Sequence, residues 1–149
     1  MSRARGVGFY APSGFALDPA AIDRAVTLFE ARGDRVTVDP TCRMRVTRFA
    51  ASDDERLAAV MRMTADPHVD LAITLRGGYG WTRLLPRLDY AAIAAAGKQW
   101  LGYSDFTAFQ LAALAGEGGF DAVVQETNET FEGDAHLLSG SHNVLCHWV

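Results

Sequence analysis

A serine between a strand-like run and a helix-like run is the first candidate for chemistry. Ser104 follows the apolar run 99–103 and precedes a segment with helical spacing. At such a junction the hydroxyl projects over the sheet edge, and the free N–H groups of Asp105 and Phe106 point towards the same place, where they could hold an oxyanion. Residues 102–106 match only the first part of the G-x-S-x-G nucleophile elbow, because Phe106 replaces the second glycine. A plain serine N-cap is the alternative, and both interpretations stay open here.

A glycine-rich segment is the second candidate. Residues 76–80 read R-G-G-Y-G, and glycine permits backbone torsions and close approaches that other residues do not. A backbone N–H of Gly77 or Gly78 could therefore act as a second oxyanion donor. The segment is not a P-loop, since no Gly-Lys-Ser/Thr follows, and it is not G-x-G-x-x-G, because Arg83 takes the last position. A turn that lets the next helix dock is the alternative.

The histidines do not supply an evident general base. His68 precedes the third strand-like run, so we expect it at the opposite edge of the sheet from the serine. His136, His142 and His147 fall in an irregular region. His142 and Cys146 are four residues apart, a spacing that suits a metal on a helix, but no further ligands can be identified. We therefore predict no metal and no cofactor.

The elements that must position these residues alternate between strand and helix. Strands are predicted at 7–11, 35–39, 71–75 and 99–103. The first helix runs from Pro19 to Arg32, and Ser52 with Glu55 forms a capping box for the second. That second helix carries Leu57, Val60, Met61 and Thr64 on one side. The alternation predicts an α/β fold with a mostly parallel sheet flanked by helices, and right-handed crossovers bring the ends of strands one, three and four to one edge.

Composition excludes several classes of protein. The chain has 149 residues, 49% hydrophobic and 21% charged, as expected of one soluble, cytoplasmic domain. No run is long enough to cross a membrane, and the first six residues are too polar for a signal peptide. Cys42 and Cys146 fit no disulfide framework or zinc motif, so reduced, half-buried thiols are expected.

Charge divides the chain into two parts. All 14 lysines and arginines lie between Arg3 and Lys98, whereas residues 99–149 hold seven acids and no base. A nucleic-acid surface is excluded by this distribution, and a small ligand is expected instead. We predict an α/β nucleophile domain over residues 1–115 and an irregular acidic tail over 116–149. The tail is either the remnant of an interrupted protein or a segment folded over the sheet.

Five short motifs carry a resemblance to a known family. They are A-P-S-G at 11–14, F-A-A-S-D-D-E-R at 49–56, R-G-G-Y-G at 76–80, R-L-L at 83–85 and G-Y-S-D-F-T-A at 102–108. In order and spacing the chain resembles the N-terminal domain of LD-carboxypeptidases (muramoyltetrapeptide carboxypeptidases), which are serine peptidases. The likeness extends over about residues 6–115. Five separate motifs make the resemblance far more specific than either glycine motif alone.

The resemblance implies a site and a reaction. Ser104 would attack the amide before the terminal D-alanine of a murein tetrapeptide and form an acyl-enzyme, with the oxyanion held by the amide of Asp105 and that of Gly77 or Gly78. Arg76 and Tyr79 would contact the substrate. The family takes its catalytic Glu and His from a C-terminal domain, and neither motif can be matched here. We therefore expect the chain to be inactive or very weak by itself.

Partners and rival functions follow from the same comparison. A missing C-terminal domain would leave apolar surface uncovered, so we expect self-association. We expect no contact with nucleic acid or membrane. One rival function is the amidase activity of the microcin-immunity branch of the family, which accepts a peptidyl-nucleotide. The other is a non-catalytic module that binds a small anion at a helix N-terminus, with Ser104 serving only as a helix cap.

Overall fold

Four parallel strands form one sheet with helices on both faces. The computed structural model describes residues 4–116. The sheet has the order β2-β1-β3-β4, and every pairing in it is parallel. Its strands are β1 (Gly6–Tyr10), β2 (Arg35–Val38), β3 (Leu71–Thr74) and β4 (Gln99–Leu101). The helices are α1 (Pro19–Ala31), α2 (Asp53–Ala65), α3 (Trp81–Leu84), α4 (Tyr90–Ala95) and α5 (Phe106–Gly116), with 3-10 turns at Pro40–Arg43 and Leu85–Arg87. The predicted α/β fold is confirmed.

The two central strands are buried on both faces. Every residue of β1 and β3 is buried, as expected of parallel strands covered on both sides. One face of the sheet packs an aromatic cluster in which the Trp81 and Phe109 rings stack with centroids 4.6 Å apart. The other face packs Phe9 against Phe29 of α1. These two cores fix the strands, and with them the loops that follow their carboxyl ends.

Local sequence signals set the helix starts. The capping box predicted at α2 is present, with Ser52 and Glu55 each bonding the other's backbone N–H. Asp18 caps α1 as predicted, and Gly33 adopts φ +88 just after it, a conformation that favours glycine. Cys42 is fully buried rather than half-buried, and burial raises the pKa of its thiol to about 12.

Several predictions from the sequence fall outside the described residues. These are the tail from residue 117 onwards, with His136, His142, Cys146 and His147. No helix among residues 4–116 has the length and apolar character needed to cross a bilayer.

Exposed apolar surface on α5 leads to a prediction about self-association. Leu111 is 58% exposed on this helix, and β4 pairs within the described residues on only one side. An exposed apolar side chain and an open strand edge each favour association between copies. We expect native mass spectrometry to show dimers or larger species, and Leu111→Glu to shift them towards monomer.

The matched control is Leu17→Glu. Leu17 is 71% exposed but lies in the loop before α1, so its substitution should leave the distribution unchanged. A wild-type chain that is monomeric at all concentrations tested would contradict this prediction.

Candidate active site

Ser104 occupies a strained turn between β4 and α5. Its φ is +62 and its side chain is exposed. A helix N-cap has an extended backbone, so this conformation does not fit the N-cap alternative, whereas a nucleophile elbow requires such a sharp turn. One expected donor is absent from the site, because the Phe106 N–H donates to the Tyr103 carbonyl at 3.3 Å. This bond closes a turn over residues 103–106, so the amide is already paired within the chain.

The glycine loop, residues 76–80, lies directly against this serine. A Cβ added at Gly77 would lie 2.6 Å from Ser104 Oγ, so only glycine allows the approach. The N–H groups of Gly77 and Asp105 have no acceptor among the described residues. The Gly78 N–H, in contrast, donates to Asp105 Oδ1 at 3.1 Å. Of the two glycines predicted to supply a donor, Gly77 is therefore the one with an unoccupied N–H.

The Asp105 carboxylate fastens the glycine loop to the serine turn. Besides the bond from Gly78, its Oδ2 accepts from the Ser13 hydroxyl at 2.8 Å and from the Trp81 N–H at 3.2 Å. The Ser13 hydroxyl in turn accepts from the Gly80 N–H at 2.9 Å. The loops after β1, β3 and β4 are thus joined through two side chains.

A buried arginine, Arg56, binds the backbone of the same loops. The Arg56 side chain has no exposed surface, and its guanidinium donates to the carbonyls of Pro12, Ala51 and Gly80. It also pairs with Asp53. Burial lowers the pKa of the guanidinium, and the Asp53 charge opposes this shift. The positively charged guanidinium thus bonds four acceptors, and these bonds fix the loops at this edge of the sheet in one conformation.

The two residues predicted to contact the substrate, Arg76 and Tyr79, lie at the edge of the candidate site. Tyr79 is exposed, with φ +59. Arg76 is half-buried, and a Cβ added at Gly14 would lie 3.0 Å from its Nε. Among residues 4–116 the single histidine, His68, lies beside Gly6 at the start of β1, at the opposite edge from the serine.

Sequence reasoning missed three positioning groups. It gave Ser13, within the A-P-S-G motif at 11–14, no role of its own, and it used Asp105 only for its backbone. It also passed over Arg56, although a signal was available. Arg56 stands in phase with the buried face of α2, which is Arg56, Ala59, Val60, Met63 and Thr64. A charged residue in phase with an apolar stripe indicates a buried, bonded group.

Known proteins are similar to this chain in sequence. The family model described as the LD-carboxypeptidase N-terminal domain, Peptidase S66, matches residues 7–123. A probable murein peptide carboxypeptidase from Bacillus subtilis (strain 168) is 31% identical over 107 residues, covering 72% of this chain and 33% of the relative. The chain thus spans about a third of that relative's length.

Solved structures agree with this. The muramoyltetrapeptide carboxypeptidase of Oxalobacter formigenes superposes with a TM-score of 0.65 and 41% identity, over 73% of this chain and 36% of that one. MccF in complex with glutamyl sulfamoyl guanosine gives a TM-score of 0.67 and 25% identity, over 73% and 33%. By its matched domain, its fold and its relatives, the chain belongs to the LD-carboxypeptidase family, Peptidase S66, and contains that family's N-terminal domain.

Proposed function

We propose that this chain carries the nucleophile of a serine carboxypeptidase that removes a terminal D-amino acid from murein-derived peptides in the cytoplasm. The observation that carries the proposal is the exposed Ser104 at φ +62, packed against Gly77. The names of the relatives from Bacillus subtilis and Oxalobacter formigenes support the substrate class.

The reaction assigns a role to each group. Ser104 Oγ attacks the scissile carbonyl, and the N–H groups of Asp105 and Gly77 stabilise the oxyanion that forms. The terminal amino acid leaves with a proton, and water then hydrolyses the acyl-enzyme. A serine hydroxyl stays protonated near neutral pH without a base. Because the matched model is that of an N-terminal domain, we assign the base to the part of the relatives that this chain does not cover.

An amidase of the microcin-immunity type is the second candidate. It is favoured by the superposition on MccF, which was solved in complex with glutamyl sulfamoyl guanosine. The same serine and glycine loop would serve both reactions, so the two candidates differ only in substrate.

Covalent labelling of Ser104 tests the proposal. The chain is mixed with the C-terminal part of the Oxalobacter formigenes relative and treated with a fluorophosphonate, and the modified residue is located by mass spectrometry. We expect labelling at Ser104 and none in Ser104→Ala. The control is Ser52→Ala, which removes an exposed capping hydroxyl at α2 and should leave the label in place. Absence of labelling in the mixture, or labelling that survives Ser104→Ala, would favour a non-catalytic binding module.

A further inference from the structure

Two arginines, Arg45 and Arg76, lie against the same aromatic side chain. Six arginines of the described chain each pair with an aspartate: Arg24, Arg43, Arg56, Arg62, Arg83 and Arg87. Arg45 and Arg76 form no ion pair with any acid among residues 4–116. Both point their guanidinium groups at the ring of Phe15 instead. Two positive charges with no acidic partner among the described residues therefore lie on one aromatic side chain.

The Phe15 ring is the shared support of this pair. Arg45 Cζ lies 4.0 Å from the ring centroid and Arg76 Cζ lies 5.9 Å from it. Arg76 Nη1 also donates to the Phe15 carbonyl, at 3.4 Å. Stacking on an aromatic face holds a guanidinium in place and leaves its N–H edge available to a ligand.

Arg76 is close to the reacting group. Arg76 immediately precedes Gly77, the residue packed against Ser104, and it lies over Gly14, whose N–H donates to the Gly77 carbonyl at 3.2 Å. Burial raises the pKa of the Tyr103 phenol, and the charge of Arg76 opposes this shift. The charge of Arg76 is thus felt by the residue just before the serine.

A carboxypeptidase substrate carries an anion close to its scissile bond. The α-carboxylate of the residue to be removed lies one residue beyond the scissile carbonyl, and consecutive Cα atoms are about 3.8 Å apart. Guanidinium groups match carboxylates in geometry and charge. A charged pair of this kind distinguishes a free terminus from an amide of nearly the same shape, because only the free acid carries the negative charge.

We propose that Arg45 and Arg76, supported by Phe15, bind the α-carboxylate of the terminal residue and so make the enzyme select free peptide ends. This inference rests on the proposed function, since it takes Ser104 as the position of the scissile carbonyl. It adds to that function the residues that recognise the free terminus, and it gives Arg45, in the segment 40–51 between β2 and α2, a role in specificity.

Binding of two matched peptides tests the inference. A tetrapeptide ending in D-alanine is titrated into the chain as the free acid and as the carboxamide, and affinity is measured by calorimetry. We expect the acid to bind about tenfold or more tightly than the amide, as one charge-assisted bond implies. Arg45→Gln and Arg76→Gln should each bring the ratio of acid to amide affinity close to one.

Arg48→Gln is the matched control. Arg48 is exposed on the same segment but lies over Phe49, so the wild-type ratio should be kept. Equal affinity of the wild type for both peptides, no binding of either, or a ratio that Arg45→Gln does not change would each overturn the inference. Labelling of Ser104 is scored separately: a labelled serine without acid preference refutes the inference alone, whereas acid preference without labelling refutes the proposed function alone.

Discussion

Gly77→Ala is expected to slow the labelling of Ser104 by a fluorophosphonate about 100-fold, the loss that a misplacement of about 1 Å causes at a reacting group. The new methyl group would lie 2.6 Å from the serine oxygen, so the serine turn must move. Rates are measured in the same mixture as the wild type and corrected for the folded fraction.

Gly33→Ala is the control for this substitution. Gly33 has φ +88, yet a Cβ there would meet nothing within 4 Å. The variant should lose some stability through backbone strain, about 1 kcal/mol or slightly more, and keep the wild-type rate of labelling. A Gly77→Ala variant that labels as fast as the wild type would show that the contact with Ser104 has no part in reactivity.

Arg56→Met is expected to lower the free energy of unfolding by about 3–5 kcal/mol, because each of the three carbonyls left without its charged donor costs about 1–3 kcal/mol. The carbonyls of Pro12, Ala51 and Gly80 would lose their donor. Since these carbonyls belong to the loops that position the serine, labelling should fall as well. Urea denaturation followed by tryptophan fluorescence measures the change.

Arg83→Met provides the comparison. Arg83 bonds the same Asp53 carboxylate, but its side chain is 55% exposed. Exposed ion pairs contribute little, so a loss of less than about 1 kcal/mol is expected. If the two variants unfolded at the same urea concentration, burial of the Arg56 guanidinium would not be what stabilises this edge of the sheet.

The order and type of the elements were predictable because each has a local cause. The capping box at Ser52, the glycine at position 33 and the uninterrupted apolar run of β3 act within a few residues. The predicted strands were one or two residues too long at their carboxyl ends, and β4 ends at Leu101 rather than at Tyr103. Those last residues leave the sheet to form the loops of the site.

The side chains of the site were less predictable because their partners are distant in sequence. Ser13 and Asp105 are 92 residues apart, and no local pattern joins them. Of the side chains predicted on one side of α2, Val60 and Thr64 are buried and Leu57 packs partly buried against the core, but the buried face also includes Arg56 and Met63, which the apolar spacing did not indicate.

The Ser13 hydroxyl gives one hydrogen bond and receives another, so it can satisfy both neighbours in only one orientation. The turns after β1, β3 and β4 are therefore held in one common arrangement, and none of them can move alone to fit a new substrate. Differences in substrate preference among family members would then have to arise in segments outside these three turns. Residues 40–51, which carry Arg45, are such a segment.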